Sequence, residues 1–411
     1  MPRTQVTGRT GPRRALTVLL PLLLATGTPL SVGVPASAAE PGAVRLPVMP
    51  SRLAAGASCT SASHEVATAT PWEQRSLELP KVWPSGSGAG VKVAVVDTGV
   101  SQQARALAGR VTAVGGATAD QDCVGHGSFV AGLIAAAPVK GVHFAGVAQQ
   151  AAILAVRGTD DRGVATDTTV AGGIRAAVDA GARIIEVSPA LADRSRTLTA
   201  AVSYAAGHDA LIVAAAVPDA TTTTMSTDTP PRSYWPADEA GVLSVVAVDA
   251  EGQAPQGSPA PRHADLAAPG AGVIGIGPGG TGHFIGSGAS LAAGYVAGMA
   301  ALVRAADPEL TAAETANRLT TTAYPADVPR LDPYAALTSV PDTATHGEKP
   351  AEEAVRLPEQ HTDAGTTRRA LLVAGGGGAL LLLVVWASAV VPRGRARGWR
   401  AAARNRPTGT S

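Results

Sequence analysis

Gly286-Ser287-Gly288-Ala289-Ser290-Leu291-Ala292-Ala293-Gly294, continued by Tyr295-Val296-Ala297-Gly298-Met299-Ala300-Ala301-Leu302-Val303, opens with small residues and runs on as a long Ala-rich helix pattern. A serine in the first turn of such a helix stands among free backbone N–H groups that carry partial positive charge. That setting suits a nucleophile whose reaction creates an oxyanion. It suits a packed core helix with a capping serine equally well, so the stretch alone leaves both readings open.

Upstream, strand and helix signals alternate. Val91-Lys92-Val93-Ala94-Val95-Val96 is a buried-strand pattern that ends in Asp97-Thr98-Gly99. Asp122-Cys123-Val124-Gly125-His126-Gly127-Ser128 follows, and then an apolar run from Phe129 to Ala137 that reads as a buried helix begun at His126. Strands are expected at 151–156, 183–187, 210–216 and 242–248, with helices at 168–180, 198–206 and 289–306. A further helix starts at Thr311, whose spacing to Glu314 is that of a capping box. Such alternation predicts an α/β fold with a parallel sheet between helical layers.

The ends of the chain read differently. Arg3, Arg9, Arg13 and Arg14 precede an apolar run, Ala15 to Ala25, and then Ala36-Ser37-Ala38, which is the pattern of a secretory signal peptide over 1–38. Ala370 to Val391 carries no charge and reads as a transmembrane helix. Arg393, Arg395, Arg397, Arg400, Arg404 and Arg406 follow it, against Arg368 and Arg369 before it, which places the 392–411 tail in the cytoplasm. The globular part, 72–338, is then extracytoplasmic and tethered to the lipid bilayer by its C-terminal helix. An Ala-, Ser-, Thr- and Pro-rich arm (39–71) precedes it, and a linker of disordered composition (339–369) follows.

A net charge of +1 gives no sign of a nucleic-acid partner. Asp160 and Asp161 alone do not make a calcium cage, and the histidines show no metal-ligand spacing, so no metal or cofactor is expected. Gly275, Gly277 and Gly280 form a Gly-x-Gly-x-x-Gly, but no helix follows at once, which argues against a dinucleotide site. The two cysteines, Cys59 and Cys123, read as a disulfide of an exported protein in preference to a Cys123 nucleophile beside His126.

In parallel-sheet folds, functional groups gather at the carboxyl ends of strands and at the facing helix starts. Asp97 ends a strand, while His126 and Ser290 each start a helix. Singly, they read as a turn cap and two helix starts. Together they supply a nucleophile, a base and a carboxylate that orients the base. Their order along the chain is Asp, His, Ser, which differs from that of α/β-hydrolases and chymotrypsin-like enzymes. Nor is Ser290 in a Gly-x-Ser-x-Gly elbow, because Ala292 stands at the last position. An esterase on another α/β fold is therefore disfavoured.

From about Trp72 to Leu337 the chain resembles subtilisin-like serine proteases. Val93 to Gly99 is similar to the family's Asp motif, Gly125-His126-Gly127-Ser128 to its His motif, and Gly288-Ala289-Ser290-Leu291-Ala292-Ala293 to its Ser motif. Gly146-Val147-Ala148, Ala268-Pro269-Gly270 and Pro308-Glu309-Leu310-Thr311 also resemble the family. The resemblance implies a three-layer subtilisin-like fold with a mainly parallel central sheet, and catalysis by Asp97, His126 and Ser290 on a polypeptide substrate. The leader, the short cysteine-bearing arm, the cysteine just before His126, the stretch Gly277 to Gly282 and the terminal membrane helix resemble mycosins. These are membrane-anchored proteases of type VII secretion systems. That likeness implies a type VII secretion membrane complex as partner, and an arm that stays attached and wraps the catalytic domain, pinned by a Cys59–Cys123 bond.

The sequence departs from the family at several functional positions. Pro218 falls where subtilisins carry the oxyanion Asn, and proline has neither a side-chain donor nor an N–H. Glu186 replaces an Asn, Pro189 removes a donor from the substrate strand, Ala289 replaces a Thr and Gly294 a Pro. The specificity pocket is expected near Ser188, Ala214 and Ala216. Two functions follow from the resemblance: a peptidase of weakened activity, or a catalytically impaired pseudoprotease that caps or stabilises the secretion membrane complex.

Overall fold

A strand buried on both faces must be apolar at every position, because alternate side chains enter opposite layers. In the computed structural model, which describes residues 45–116, 118–219, 230–339 and 364–398, the four residues between Lys92 and Asp97 in β1 (Lys92–Asp97) do this. Val93 and Val95 pack into one core layer, and Ala94 and Val96 into the other. The strands that follow are β2 (Val111–Val114), β3 (Ala152–Arg157), β4 (Ile184–Val187), β5 (Leu211–Ala215), β6 (Val242–Val248) and β7 (Leu266–Pro269). They form a seven-stranded sheet in the order β2-β3-β1-β4-β5-β6-β7. Every pairing in it is parallel. The carboxyl ends of β1, β4 and β5 therefore lie side by side at one edge.

Helices α1 (Trp72–Ser76) and α2 (Leu79–Val82) precede the sheet. On one face lies α3 (His126–Ala135); on the other lie α4 (Asp167–Asp179) and α5 (Arg196–Gly207). The central helix α6 (Ala289–Ala306) shares the layer of α3 and is buried at every residue from Ala289 to Arg304. Only small side chains let a helix be surrounded in this way at close-packed density, which explains its Ala- and Gly-rich composition. Helices α7 (Ala312–Thr321) and α8 (Pro333–Thr338) close the domain. At the start of α7, Thr311 Oγ1 accepts from Glu314 N–H and Glu314 accepts from Thr311 N–H, completing the capping box.

Between β7 and α6 an antiparallel hairpin forms, β8 (Val273–Ile276) with β9 (His283–Gly286). The arm lies along it. Met49 N–H donates to Ile285 O at 2.9 Å, Ile285 N–H donates to Pro47 O at 2.9 Å, and His283 N–H donates to Glu65 O at 2.7 Å. Met49 is buried in the main core layer. Cys59 and Cys123 are bonded, and Thr60 N–H donates to Cys123 O at 2.9 Å.

Helix α9 (Ala364–Ala396) belongs to a separate unit of the chain. Its Leu371–Ala396 segment is apolar and long enough to cross a membrane. The helix starts before and ends after the 370–391 span expected from apolarity, because helical backbone propagates through Ala and Arg, both strong helix formers. The expected signal peptide, most of the linker and the end of the tail fall outside the described residues.

Candidate active site

Three loops and two helix starts converge at the carboxyl edge of the sheet. Asp97 is the last residue of β1, and its buried carboxylate is held from three sides. Thr98 N–H donates to Oδ1 at 2.5 Å. Ser188 Oγ, just after β4, donates to Oδ2 at 2.5 Å. His126 Nδ1 donates to Oδ2 at 2.7 Å. Burial raises the Asp97 carboxyl, but the His126 charge and these donors outweigh it and leave the group below its ordinary range.

His126 opens α3, and the start of that helix is organised by Asp122. The Asp122 carboxylate accepts from Gly125 N–H at 2.7 Å, Ser128 N–H at 2.8 Å, Ser128 Oγ at 2.7 Å and Thr98 Oγ1 at 2.8 Å. A carboxylate beside free helix N–H groups satisfies donors that the helix cannot. Desolvation raises the Asp122 carboxyl despite those bonds. The sequence singles out His126 and Ser128 but gives Asp122 no role. The signal that would reveal it is an acidic residue immediately before a helix start.

Ser290 is the second residue of α6, and its Oγ lies 3.2 Å from His126 Nε2. Asp97, His126 and Ser290 thus form one continuous hydrogen-bonded chain. A further carboxylate enters it. Asp219 Oδ2 accepts from Ser290 Oγ at 2.5 Å and lies 3.1 Å from His126 Nε2, while Asp219 Oδ1 accepts from Ser290 N–H at 3.1 Å. Burial lowers the His126 imidazole, but Asp97 and Asp219, one at each ring nitrogen, raise it well above its ordinary value.

The sequence reading puts Pro218 at the oxyanion position. Pro218 lines the cleft, but the side chain that faces Ser290 is that of Asp219. A motif alignment cannot see the turn after β5 that aims residue 219 back at α6.

Glu186, in β4, is fully buried. Desolvation and the nearby Asp97 charge push its carboxyl well above its ordinary range. Ser188 Oγ lies 3.0 Å from Glu186 Oε1 and 2.5 Å from Asp97 Oδ2, so one hydroxyl bridges the two carboxyl groups.

The cleft beside the chain is a cavity of about 380 Å³ lined by Asp97, His126, Ser188, Pro189, Pro218 and Asp219, with Ser51 and Arg52 of the arm at its rim. Ser188 lines this cavity. Ala214 and Ala216 do not reach this cavity. Ala214 packs into the core layer under α4 and α5, and Ala216 is buried with its N–H donating to Val245 O at 2.8 Å. They sit in or next to a central strand whose residues the flanking layers bury.

The sequence profile of the subtilase family (Peptidase S8) matches residues 88–364. Mycosin-4 of Mycobacterium tuberculosis (strain ATCC 25618 / H37Rv) is 33% identical over 368 residues, covering 76% of this chain and 80% of the relative. The solved structure of MycP3 protease from the type VII (ESX-3) secretion system is 31% identical, covers 72% of this chain and 95% of its own, and superposes with a TM-score of 0.60. A structure of the periplasmic assembly from the ESX-5 inner membrane complex matches at 29% identity, covering 74% of this chain and 93% of that one, with a TM-score of 0.62. With its seven-stranded parallel sheet and these matches, the chain belongs to the subtilase family, in its mycosin group.

Proposed function

We propose that this chain is a serine endopeptidase that works by a Ser-His-Asp mechanism on the outer side of the cell membrane, anchored there by α9 and associated with a type VII secretion membrane complex. The observation that carries the reading is the unbroken chain from Asp97 through His126 to Ser290, at 2.7 and 3.2 Å. Ser290 Oγ attacks the scissile carbonyl and gives its proton to His126 Nε2. Asp97 fixes the ring with Nδ1 protonated, and His126 later passes the proton to the leaving amine. Ser188 Oγ, which also meets Glu186, holds Asp97 in place from behind.

The secretion partner is supported by the likeness to MycP3 and to the ESX-5 assembly. The apolar Leu371–Ala396 segment and the arginines that follow it support the anchor and its orientation. The leader at 1–38 and the linker at 339–369 belong to the same proposal. A fluorophosphonate probe applied to the full chain in detergent should label Ser290, and Ser290→Ala should abolish the label. Absence of label at any pH in a folded chain sinks the peptidase reading.

A further inference from the structure

The carboxylate on Ser290 is the least expected feature of the site. Its side chain is only 8% exposed. Both of its oxygens are engaged by the nucleophile, one through Ser290 N–H and one through Ser290 Oγ. The Ser290 N–H is the backbone donor that an oxyanion on the reacting carbonyl needs. Asp219 Oδ1 therefore sits where the substrate's carbonyl oxygen must sit. Gly288 makes this possible, because a Cβ there would lie 2.1 Å from Asp219 Oδ1. Among the described residues no asparagine is at hand to serve instead: Asn317, on α7, lies on the wall of a different cavity.

We propose that Asp219 is itself the side-chain oxyanion donor, acting in its protonated form on a proton it shares with His126. This rests on the peptidase reading above. In the resting site His126 and Asp219 form an ion pair, and Ser290 Oγ and His126 Nε2 both donate to Oδ2. An ionised Asp219 blocks catalysis twice over: it holds the base as imidazolium, and it would set a negative charge against the developing oxyanion. When a carbonyl oxygen takes the Ser290 N–H, the proton on Nε2 crosses 3.1 Å to Oδ2. This one transfer leaves a neutral imidazole that can accept from Ser290 and a carboxylic acid that can donate.

Ser290 Oγ then bonds to the carbonyl carbon as its proton passes to Nε2. The C=O π pair moves to oxygen, which accepts from Ser290 N–H and Asp219 O–H. Collapse re-forms the carbonyl and breaks the C–N bond, and the Nε2 proton goes to the amine. Water hydrolyses the acyl-enzyme by the same steps in reverse, and Asp219 ends as it began.

His126 and Asp219 meet through the contact between Nε2 and Oδ2. Groups facing it are Asp97 from β1, Glu186 and Ser188 from β4 and the turn after it, and Ser290 from α6, with Arg52 of the arm and Asp249 on the adjoining cavity walls. With two protons on the pair, His126 cannot act as base. With none, Asp219 is a carboxylate facing an oxyanion. Activity is therefore confined to the window in which the pair holds one proton, and it falls on both sides. Asparagine at 219 donates at every pH and cannot hold the ring as an ion pair, so the alkaline fall disappears with it.

The test is the second-order rate of fluorophosphonate labelling of the full chain in detergent from pH 5 to 10. The wild type should give a bell. Asp219→Asn should label at least as fast as the wild type at the wild-type optimum, stay high at alkaline pH, and exceed Asp219→Ala by about 10²–10³, which is what one such donor is worth in turnover, as measured in a subtilisin. Asp219→Ala should label at least about tenfold slower than the wild type at that optimum, since it has no donor. Alanine matching or exceeding the wild type would make Asp219 a mere obstruction and overturn the inference. So would an Asn variant that keeps the alkaline limb. In both cases labelling persists and the peptidase reading stands. If none of the three chains labels while each unfolds cooperatively, the peptidase reading itself falls.

Discussion

Glu73→Gln should stabilise this protein, and increasingly so as the pH rises. Glu73 lies in α1 and is wholly buried. Its Oε1 accepts from Ile274 N–H at 2.8 Å, on the β8 strand, while Oε2 has no hydrogen-bond partner. Burial dominates, and it pushes the carboxyl from 4.5 to about 7. The folded chain therefore keeps a proton that the unfolded chain sheds near 4.5. Stability from this group is complete at low pH, falls as the pH rises from about 4.5 to 7, and is level above that. At about 1.4 kcal/mol per pH unit the full loss is about 3 kcal/mol.

Glutamine keeps the acceptor for Ile274 and has no proton to lose. The difference in unfolding free energy between the variant and the wild type should grow by about 2.5 kcal/mol from pH 5 to pH 9, in urea titrations of the chain in detergent. Other titrating groups cancel in that difference. Parallel pH curves for the two proteins would refute the reasoning.

Two further perturbations probe the frame around the site. Replacing both Cys59 and Cys123 with Ser opens a loop spanning a sequence separation of 64, which in the chain-entropy account lowers unfolding free energy by about 4 kcal/mol; reductant should do the same to the wild type and nothing to the variant, as read by denaturation midpoints. Arg304→Met should cost about 3–5 kcal/mol by the same measurement. The fully buried guanidinium donates to Arg183 O at 2.8 Å, Asp209 O at 2.9 Å and Leu310 O at 2.8 Å, besides pairing with the Asp209 carboxylate; methionine removes all of these, and while Arg183 O keeps Leu211 N–H and Leu310 O keeps Arg183, Asp209 O loses its donor.

The parallel strands and long helices are legible in the sequence because each has one dominant pattern. Val242–Val248 and Ala289–Ala306 fall where periodicity puts them. The hairpin β8–β9 does not, because its strands have four residues each and are interrupted by glycine. Those glycines have a packing cause: a Cβ at Gly275 would lie 2.7 Å from the Phe129 ring, and one at Gly277 would lie 2.3 Å from the Phe284 ring. Gly280, at φ +74°, instead takes a left-handed turn beside Ala62 of the arm, so the Gly-x-Gly-x-x-Gly spacing is the footprint of two aromatic rings and a turn. Asp97, His126 and Ser290 are legible because each sits in a motif at an element's end. Asp219 is not, because a loop rather than a periodic element aims it, and its neighbour Pro218 occupies the aligned position. Glu186 reads as a lost asparagine, and only the structure shows that burial beside Asp97 pushes its carboxyl up.

The Cys59–Cys123 bond changes what damage to this molecule means. The loop it closes contains β1, Asp97 and the segment leading to His126. A peptide bond broken anywhere inside that loop leaves two polypeptides that remain one particle, with Met49 still seated in the core and the arm still laid along β9. In an oxidising compartment such a nicked molecule differs from the intact one only by the water added at the cut, and reduction is needed to separate its fragments. The bond therefore lets the region around the site tolerate a cut in its own backbone without shedding the arm.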